Sequence, residues 1–441
     1  MELVFGPGRV AGEVSVPGDK SVTHRAYVLA AVARGVSRVR GMNPGADCEA
    51  TLAAVRALGV QVEERAGAGT AGVGSRERLV TGRPDGFEAP KGALDLGNSA
   101  TGLRLLAGLL AGRNVVATLT GDASLRARPM ARILEPLRAM GGRIRGAAGD
   151  TRAPLHVRGS ALDGRLLAGR AHETEVASAQ VKSCLLFAGL AAQGTTSVHE
   201  PALSRDHTER LLPRFGVAVA HPAPLTVAVT GPAAAAAAEV DVPGDFSAAF
   251  FWLVAGTLAG AGELVVRRVG LNPTRTGGLL VLRRMGADIR VENASEAAGE
   301  PVGDLVVRPA NLRAADVAAE EIPVLIDELP ALAVAQALAE GTSRVAGAGE
   351  LRTKESDRIT LVGRCLQAVG GNFLERPDGW DIVGGRLGGG AIDSAGDHRI
   401  AMSFGVAALA AAGPVRIAGA EMIDTSYPGF YSGLRDRVTS R

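Results

Sequence analysis

Ser15-Val16-Pro17-Gly18-Asp19-Lys20-Ser21 has a near copy later in the chain, Asp241-Val242-Pro243-Gly244-Asp245-Phe246-Ser247. The Val-Pro-Gly-Asp phrase thus occurs twice, Val16 and Val242 lying 226 positions apart, each time ahead of an apolar run. At 441 residues the chain is too long for one ordinary core. The two phrases are therefore read as paired crossings between two domains, a hinge near residues 17–21 and 240–246. On this reading 1–19 with 242–441 form one domain and 20–241 the other. Gly231-Pro232 and the alanine run Ala233 to Ala238 read as a linker near the midpoint.

Working outward from the paired phrases, six versions of one pattern fill the two halves. A polar motif opens an Ala/Leu-rich helix that ends at a Gly, a strand-like stretch follows, and a second helix ends in an apolar-Gly pair. The first marker falls at Gly35, Gly112, Gly194, Gly260, Gly341 and Gly413, at spacings of 66 to 82 residues. The second falls at Leu58-Gly59, Met140-Gly141-Gly142, Phe215-Gly216, Met285-Gly286 and Val369-Gly370. A Gly just past the last apolar position is expected to cap the helix in the left-handed region, which it enters without steric penalty. The first helices, such as Tyr27 to Ala33, Leu103 to Ala111 and Ala331 to Ala339, are apolar on nearly every face. Helices of that kind belong inside. The expected fold is α/β with the usual layering inverted: repeated units whose helices are buried and whose sheets lie outside.

Composition narrows the function classes. A net charge of +2 argues against a nucleic-acid or membrane-surface protein. Cys48, Cys184 and Cys365 are too far apart for a disulfide framework or a zinc motif, and read as buried thiols in a reducing compartment. No charged and apolar leader opens the sequence, and the apolar run Phe246 to Ala261 is too short to span a bilayer. A soluble cytoplasmic protein, working as a monomer, is expected. Of 48 basic residues only Lys20, Lys91, Lys182 and Lys354 are lysines. A chain that otherwise uses Arg keeps Lys where a compact ammonium of tunable pKa is needed, and Lys20 and Lys354 fall within motifs.

Those motifs cluster at helix-opening ends. They are Gly18-Asp19-Lys20-Ser21 with Arg25, Gly97-Asn98-Ser99-Ala100-Thr101 with Arg104, Arg126-Ala127-Arg128-Pro129, Ser178-Ala179-Gln180 and Ser204-Arg205-Asp206-His207. The second half adds Asp327-Glu328, Lys354-Glu355-Ser356-Asp357-Arg358 and Asp397-His398-Arg399. Helix N-termini attract anions, and with Lys and Arg they suit substrates carrying phosphate and carboxylate. Asp327 and Glu355, on different repeats, could divide base and acid roles. Singly each motif could be an ordinary N-cap; at matching places in repeated units they are read as one site. Gly67-Ala68-Gly69-Thr70-Ala71-Gly72 fits a dinucleotide pattern, but no apolar helix follows it, so it reads as a loop. His172 and Glu175 lack a third ligand, so no metal is expected.

The motifs Gly18-Asp19-Lys20-Ser21-Val22-Thr23-His24-Arg25, Leu96-Gly97-Asn98-Ser99-Ala100-Thr101, Lys354-Glu355-Ser356-Asp357-Arg358 and Asp397-His398-Arg399 resemble those of the 5-enolpyruvylshikimate-3-phosphate synthase family. The resemblance runs from about Pro7 to Leu434, in the family's order. It implies two domains, each of three βαβαββ units, an inside-out α/β barrel closing around the substrates at the hinge. It implies transfer of enolpyruvyl from phosphoenolpyruvate to shikimate 3-phosphate, with no cofactor. By position, Lys20, Ser21, Arg25, Ser178, Ala179, Gln180, Ser204, Arg205, Asp327 and Lys354 would hold shikimate 3-phosphate. Phosphoenolpyruvate would meet Lys20, Asn98, Ala100, Arg128, Gln180, Glu355, Arg358 and Arg399. Asp327 would act as base and Glu355, helped by Lys20, as acid.

The chain departs from the family's most familiar form in four places. Thr425 stands where a lysine often helps hold phosphoenolpyruvate. His207 replaces a tyrosine near the shikimate ring, where Arg205 could take over part of the task. Ala179 offers only its backbone, and Glu350 replaces an asparagine that often touches the substrate phosphate. These changes resemble a second branch of the family. Ala100 replaces a glycine of glyphosate-sensitive members, which implies tolerance to that inhibitor. The rival readings are the sister enzyme acting on UDP-N-acetylglucosamine and a non-catalytic or RNA-end-processing relative. Against the first, Cys48 and Cys184 lie outside any loop motif of the sister's kind; against the second stand the low net charge and the intact Lys20, Asp327 and Glu355.

Overall fold

The computed structural model describes residues 2–66 and 76–439. The Gly67–Gly72 stretch, read above as a loop, lies outside the described residues. The chain forms two compact units, one of Met1–Pro17, Pro243–Glu296 and Pro301–Arg441, the other of Gly18–Val242 with Ala297–Glu300. Four residues of the second half, Ala297–Glu300, thus belong with the first-half unit.

The described strands form six sheets. In the unit built on Gly18–Val242, Leu94–Asp95 runs parallel to Val116–Thr120, which pairs antiparallel with Arg152–Arg158, and that strand with Arg143–Gly146. The order of the four strands is therefore first, second, fourth, third. Leu167–Ala168, Ala192–His199, Thr226–Gly231 and Ala220–Ala223 repeat it. In the remaining sheet of this unit the first place is filled by Glu239–Asp241, parallel to Val36–Arg40. In the other unit Arg9–Ser15 fills the same place beside Gly260–Gly270.

The doubled phrase now has a physical account. Each copy follows a strand of one unit, Arg9–Ser15 or Glu239–Asp241, and precedes a core helix of the other, Lys20–Val32 or Phe246–Ala259. Both helices start on an Asp cap: Asp19 Oδ1 accepts the Val22 N–H at 2.9 Å, and Asp245 Oδ1 accepts the Ser247 N–H at 2.8 Å. Gly18 is required by close approach, since a Cβ there would lie 1.8 Å from the Gly41 carbonyl oxygen.

Helices Lys20–Val32, Ala100–Ala111 and Ala179–Gly189 pack together in one unit, and Phe246–Ala259, Leu329–Ala337 and His398–Ala410 in the other. Ala100–Ala111 buries ten of its 12 residues, and Phe246–Ala259 is buried at all but Leu258. Small Ala and Gly residues on several faces let helices approach one another closely. A Cβ on Gly108 would lie 2.0 Å from the Cys184 carbonyl oxygen of the neighbouring helix.

Two expectations need correction. The glycines closing the second helices (Gly59, Gly141, Gly216, Gly286 and Gly370) all have φ between +75° and +101°. Of those assigned to the ends of the first helices, only Gly35, Gly194 and Gly341 have positive φ, at +108°, +91° and +102°. Gly112 and Gly260 have φ of −98° and −64° and serve packing instead. A Cβ on Gly112 would lie 2.4 Å from that of Ala191, and one on Gly260 at 2.4 Å from the Gly256 carbonyl oxygen. The alanine run Ala233 to Ala238 is no free linker. Its backbone bonds to Leu190, Phe215, Arg34 and Arg38, and Ala235 is buried. Small side chains let this segment lie flat on its own unit, and the passage to the other unit comes at Val242–Pro243.

Candidate active site

In the Gly18–Val242 unit the predicted residues gather at the starts of the three core helices. Lys20, in the first turn of its helix, donates to Asp47 at 3.0 Å and keeps 19% side-chain exposure. Ser99 caps helix Ala100–Ala111 by accepting the Gly102 N–H at 3.0 Å, which leaves Ala100 buried at the first helical position. Asn98 donates to Asp122 at 2.8 Å and accepts from Arg128 at 2.7 Å, so the arginine is aimed by a fixed amide. Gln180 donates to Thr101 at 3.0 Å and accepts from Arg104, a residue the sequence placed beside the site without a role.

Arg25 is 1% exposed and sews this region together. It donates to Thr208 at 2.6 Å, Ser183 at 2.8 Å, the Ser21 carbonyl at 3.0 Å and the Ala179 carbonyl at 3.4 Å. Burial pulls its pKa down to about 10, which leaves it charged at neutral pH. His24 is fully buried, its Nδ1 2.8 Å from Thr51 Oγ1. Desolvation, then the charges of Lys20 and Arg25, hold it well below its ordinary value of 6.5, so it is neutral and structural. Ser178 opens helix Ala179–Gly189, and its N–H donates to Glu200 at 3.0 Å, as the Ser204 hydroxyl does at 2.6 Å. Arg205 follows Ser204 in the loop before helix His207–Leu211. His207 is buried against Glu300 at 2.7 Å.

In the other unit a compact ionic cluster forms around Arg358, itself 1% exposed. Its Nε donates to Asp397 at 2.8 Å and its Nη2 to Glu355 at 2.6 Å, while Nη1 lies 3.5 Å from Asp327. Desolvation opposes its charge, but Asp397 and Glu355 outweigh it and raise the pKa. Asp397 caps helix His398–Ala410 through the Arg399 N–H at 2.9 Å. Burial alone would raise its carboxyl, yet Arg358 holds it below the usual range. Arg399 donates to the Asp327 carbonyl at 3.0 Å, and its Nη2 lies 3.7 Å from that side chain. Asp327 and Glu355 retain 16% and 20% side-chain exposure, so the pair expected to do proton chemistry is the solvent-accessible part of the cluster.

Lys354 donates to Glu350 at 2.8 Å, four residues before it, so the departure at Glu350 sets this lysine's position. Thr425 donates to the Met422 carbonyl at 2.7 Å. His172 lies half-buried in strand Ala171–Glu173, and no group of three metal-ligating side chains occurs among the described residues. Sequence reading named Lys182 only as a rare lysine and missed its partners Glu200 and Glu209. Lys182 is buried with Nζ 2.7 Å from Glu200 and 2.8 Å from Glu209. The rarity of lysine was the available signal.

Residues 4–434 match the family model described as EPSP synthase (3-phosphoshikimate 1-carboxyvinyltransferase). The chain is 49% identical over 438 residues to the 3-phosphoshikimate 1-carboxyvinyltransferase of Synechococcus sp. (strain JA-3-3Ab), covering 98% of this chain and 96% of that protein. With the protein of the same name from Halorhodospira halophila it shares 50% over 432 residues, 97% of this chain and 94% of the relative. The solved EPSP synthase of Acinetobacter baumannii superimposes with a TM-score of 0.87 at 40% identity, covering 100% of this chain and 98% of that one. With sequence, fold and full-length coverage in agreement, this chain belongs to the EPSP synthase family.

Proposed function

We propose that the chain catalyses its family's reaction through the residues gathered above. The enolpyruvyl group of phosphoenolpyruvate passes to the 5-hydroxyl of shikimate 3-phosphate, giving 5-enolpyruvylshikimate 3-phosphate and free phosphate. The enzyme is a transferase of the shikimate pathway to chorismate, in aromatic amino acid biosynthesis. The observation that carries the residue assignment is the Asp327–Arg358–Glu355 constellation, with two partly exposed carboxylates on one buried guanidinium.

In this reading Asp327 takes the proton of the 5-hydroxyl as its oxygen attacks the central carbon of phosphoenolpyruvate. Glu355, assisted by Lys20, gives a proton to the methylene carbon, and a tetrahedral adduct forms. Loss of a methyl proton and of phosphate restores the double bond. Phosphoenolpyruvate brings dense negative charge, and Lys20, Arg128, Arg358 and Arg399 balance it, beside Asn98, Ala100 and Gln180. Groups already fixed by protein partners need no reorganisation as charge develops. Lys20, Ser21, Arg25, Ser178, Ala179, Gln180, Ser204, Arg205, Asp327 and Lys354 hold shikimate 3-phosphate.

These ligands divide between the two units. We therefore also propose that 17–21 and 240–246 act as a hinge and that shikimate 3-phosphate draws the units together; small-angle scattering with and without it should show a smaller radius of gyration. The chain works as a monomer in the cytoplasm in this reading. Three buried free thiols support the reducing compartment.

Turnover of single variants tests the roles. Asp327→Asn, Glu355→Gln and Lys20→Met should each lose about 10²-fold or more while remaining folded. Near-full turnover in any folded variant removes that residue's assigned role.

A further inference from the structure

Lys182 lies outside the site assigned above, yet it is one of only four lysines and its side chain is 3% exposed. It bridges Glu200 Oε2 at 2.7 Å and Glu209 Oε1 at 2.8 Å, both carboxylates buried with it. Stability alone accounts poorly for such a cluster. Desolvating the charges costs several kcal/mol, and apolar replacements of similar volume are often as stable or more so. The other oxygen of Glu200 shows what the cluster accomplishes. Oε1 accepts the backbone N–H of Ser178 at 3.0 Å and the hydroxyl of Ser204 at 2.6 Å. The two serines stand on separate segments, one opening helix Ala179–Gly189 and one in the loop before His207–Leu211. Ser178 makes no side-chain cap bond to its own helix. A carboxylate clamped from behind by an ammonium cannot rotate, so it ties both serines to one rigid point.

We propose that Glu200, locked by Lys182, is a positioning residue for shikimate 3-phosphate, fixing Ser178 and Ser204 as one preorganised half of that substrate's site. The proposal rests on the reading that these serines hold shikimate 3-phosphate. Ordering them before binding removes a cost otherwise taken from affinity, of the size that an immobilised side chain carries.

Steady-state kinetics with each substrate varied in turn tests this. Glu200→Ala should raise KM for shikimate 3-phosphate about 10-fold while KM for phosphoenolpyruvate and kcat change less than about 2-fold. Glu200→Gln keeps an acceptor for the serines but sets an amide N–H against Lys182, and should fall between. Glu209→Gln disturbs the same ion cluster without touching either serine; it should lower the Tm and leave KM for shikimate 3-phosphate within about 2-fold. If Glu200→Ala does not fold, the Lys182→Met/Glu200→Gln/Glu209→Gln variant, with no charge left in the cluster, should still raise that KM at least about 3-fold. Folded Glu200 variants with native KM values, or with both KM values raised together, overturn the proposal. Ser204→Ala separates the two levels. If it raises KM for shikimate 3-phosphate and the Glu200 variants do not, only the positioning role fails. If Ser204→Ala changes nothing, the assignment of the serines fails, and the positioning role with it.

Discussion

Arg358 donates to Glu355 at 2.6 Å from the same guanidinium that holds Asp397 at 2.8 Å. The proposed acid and the cap of helix His398–Ala410 are thereby fixed by one planar fork. A lysine carries the charge but cannot reach both carboxylates in that geometry. Arg358→Lys should therefore lower kcat/KM for phosphoenolpyruvate by about 10²-fold, with most of the loss in kcat. A folded variant within about 3-fold of the parent would remove Arg358 from the mechanism.

Buried, neutral His24 predicts a pH dependence of stability. Its folded pKa lies well below 6.5 because of desolvation and the nearby charges of Lys20 and Arg25. As pH falls through 6.5 the unfolded chain takes up the proton and the folded one does not. Stability from this group is therefore complete above that pH and declines below it, by up to about 1.4 kcal/mol per pH unit. Urea unfolding between about pH 6.5 and 5 should show a shallower decline in His24→Gln than in the parent. Equal slopes would contradict the neutral state.

Ala100 predicts tolerance to glyphosate, the inhibitor that takes the phosphoenolpyruvate place in this family. The residue is buried at the first position of helix Ala100–Ala111, directly after its Ser99 cap. An extra methyl in a filled site costs about 1–3 kcal/mol, or roughly 5- to 150-fold in binding. Inhibition assays on the parent and Ala100→Gly should show much tighter glyphosate binding by the glycine variant and little change for phosphoenolpyruvate. Equal inhibition would assign Ala100 to helix propensity instead.

Much of this molecule was legible in its sequence, for identifiable reasons. Val-Pro-Gly-Asp was readable because capping is local: Asp19 and Asp245 act on residues two or three positions ahead. Helix burial was readable because Leu105 to Ala111 carries no polar side chain. What failed depends on contacts distant in sequence. Gly112 and Gly260 looked like caps, but distant residues crowd them, Ala191 against Gly112 and Pro309 against Gly260. The alanine run resembled a linker because nothing in it announces the strands and helix ends it lies against. The Lys182 cluster needs Glu200 and Glu209, which no spacing rule connects to it. At the candidate site, the resemblance supplied the residue set. The sequence did not reveal that Arg25 and Arg358 are buried hubs with most of their donors already engaged by protein.

The central claim is the reaction itself, and one assay addresses it most directly: phosphate release from phosphoenolpyruvate by the purified chain, with shikimate 3-phosphate or UDP-N-acetylglucosamine as acceptor. Release dependent on shikimate 3-phosphate, and absent with the nucleotide sugar, is the predicted result. Release with UDP-N-acetylglucosamine alone, or with neither acceptor, would contradict the account.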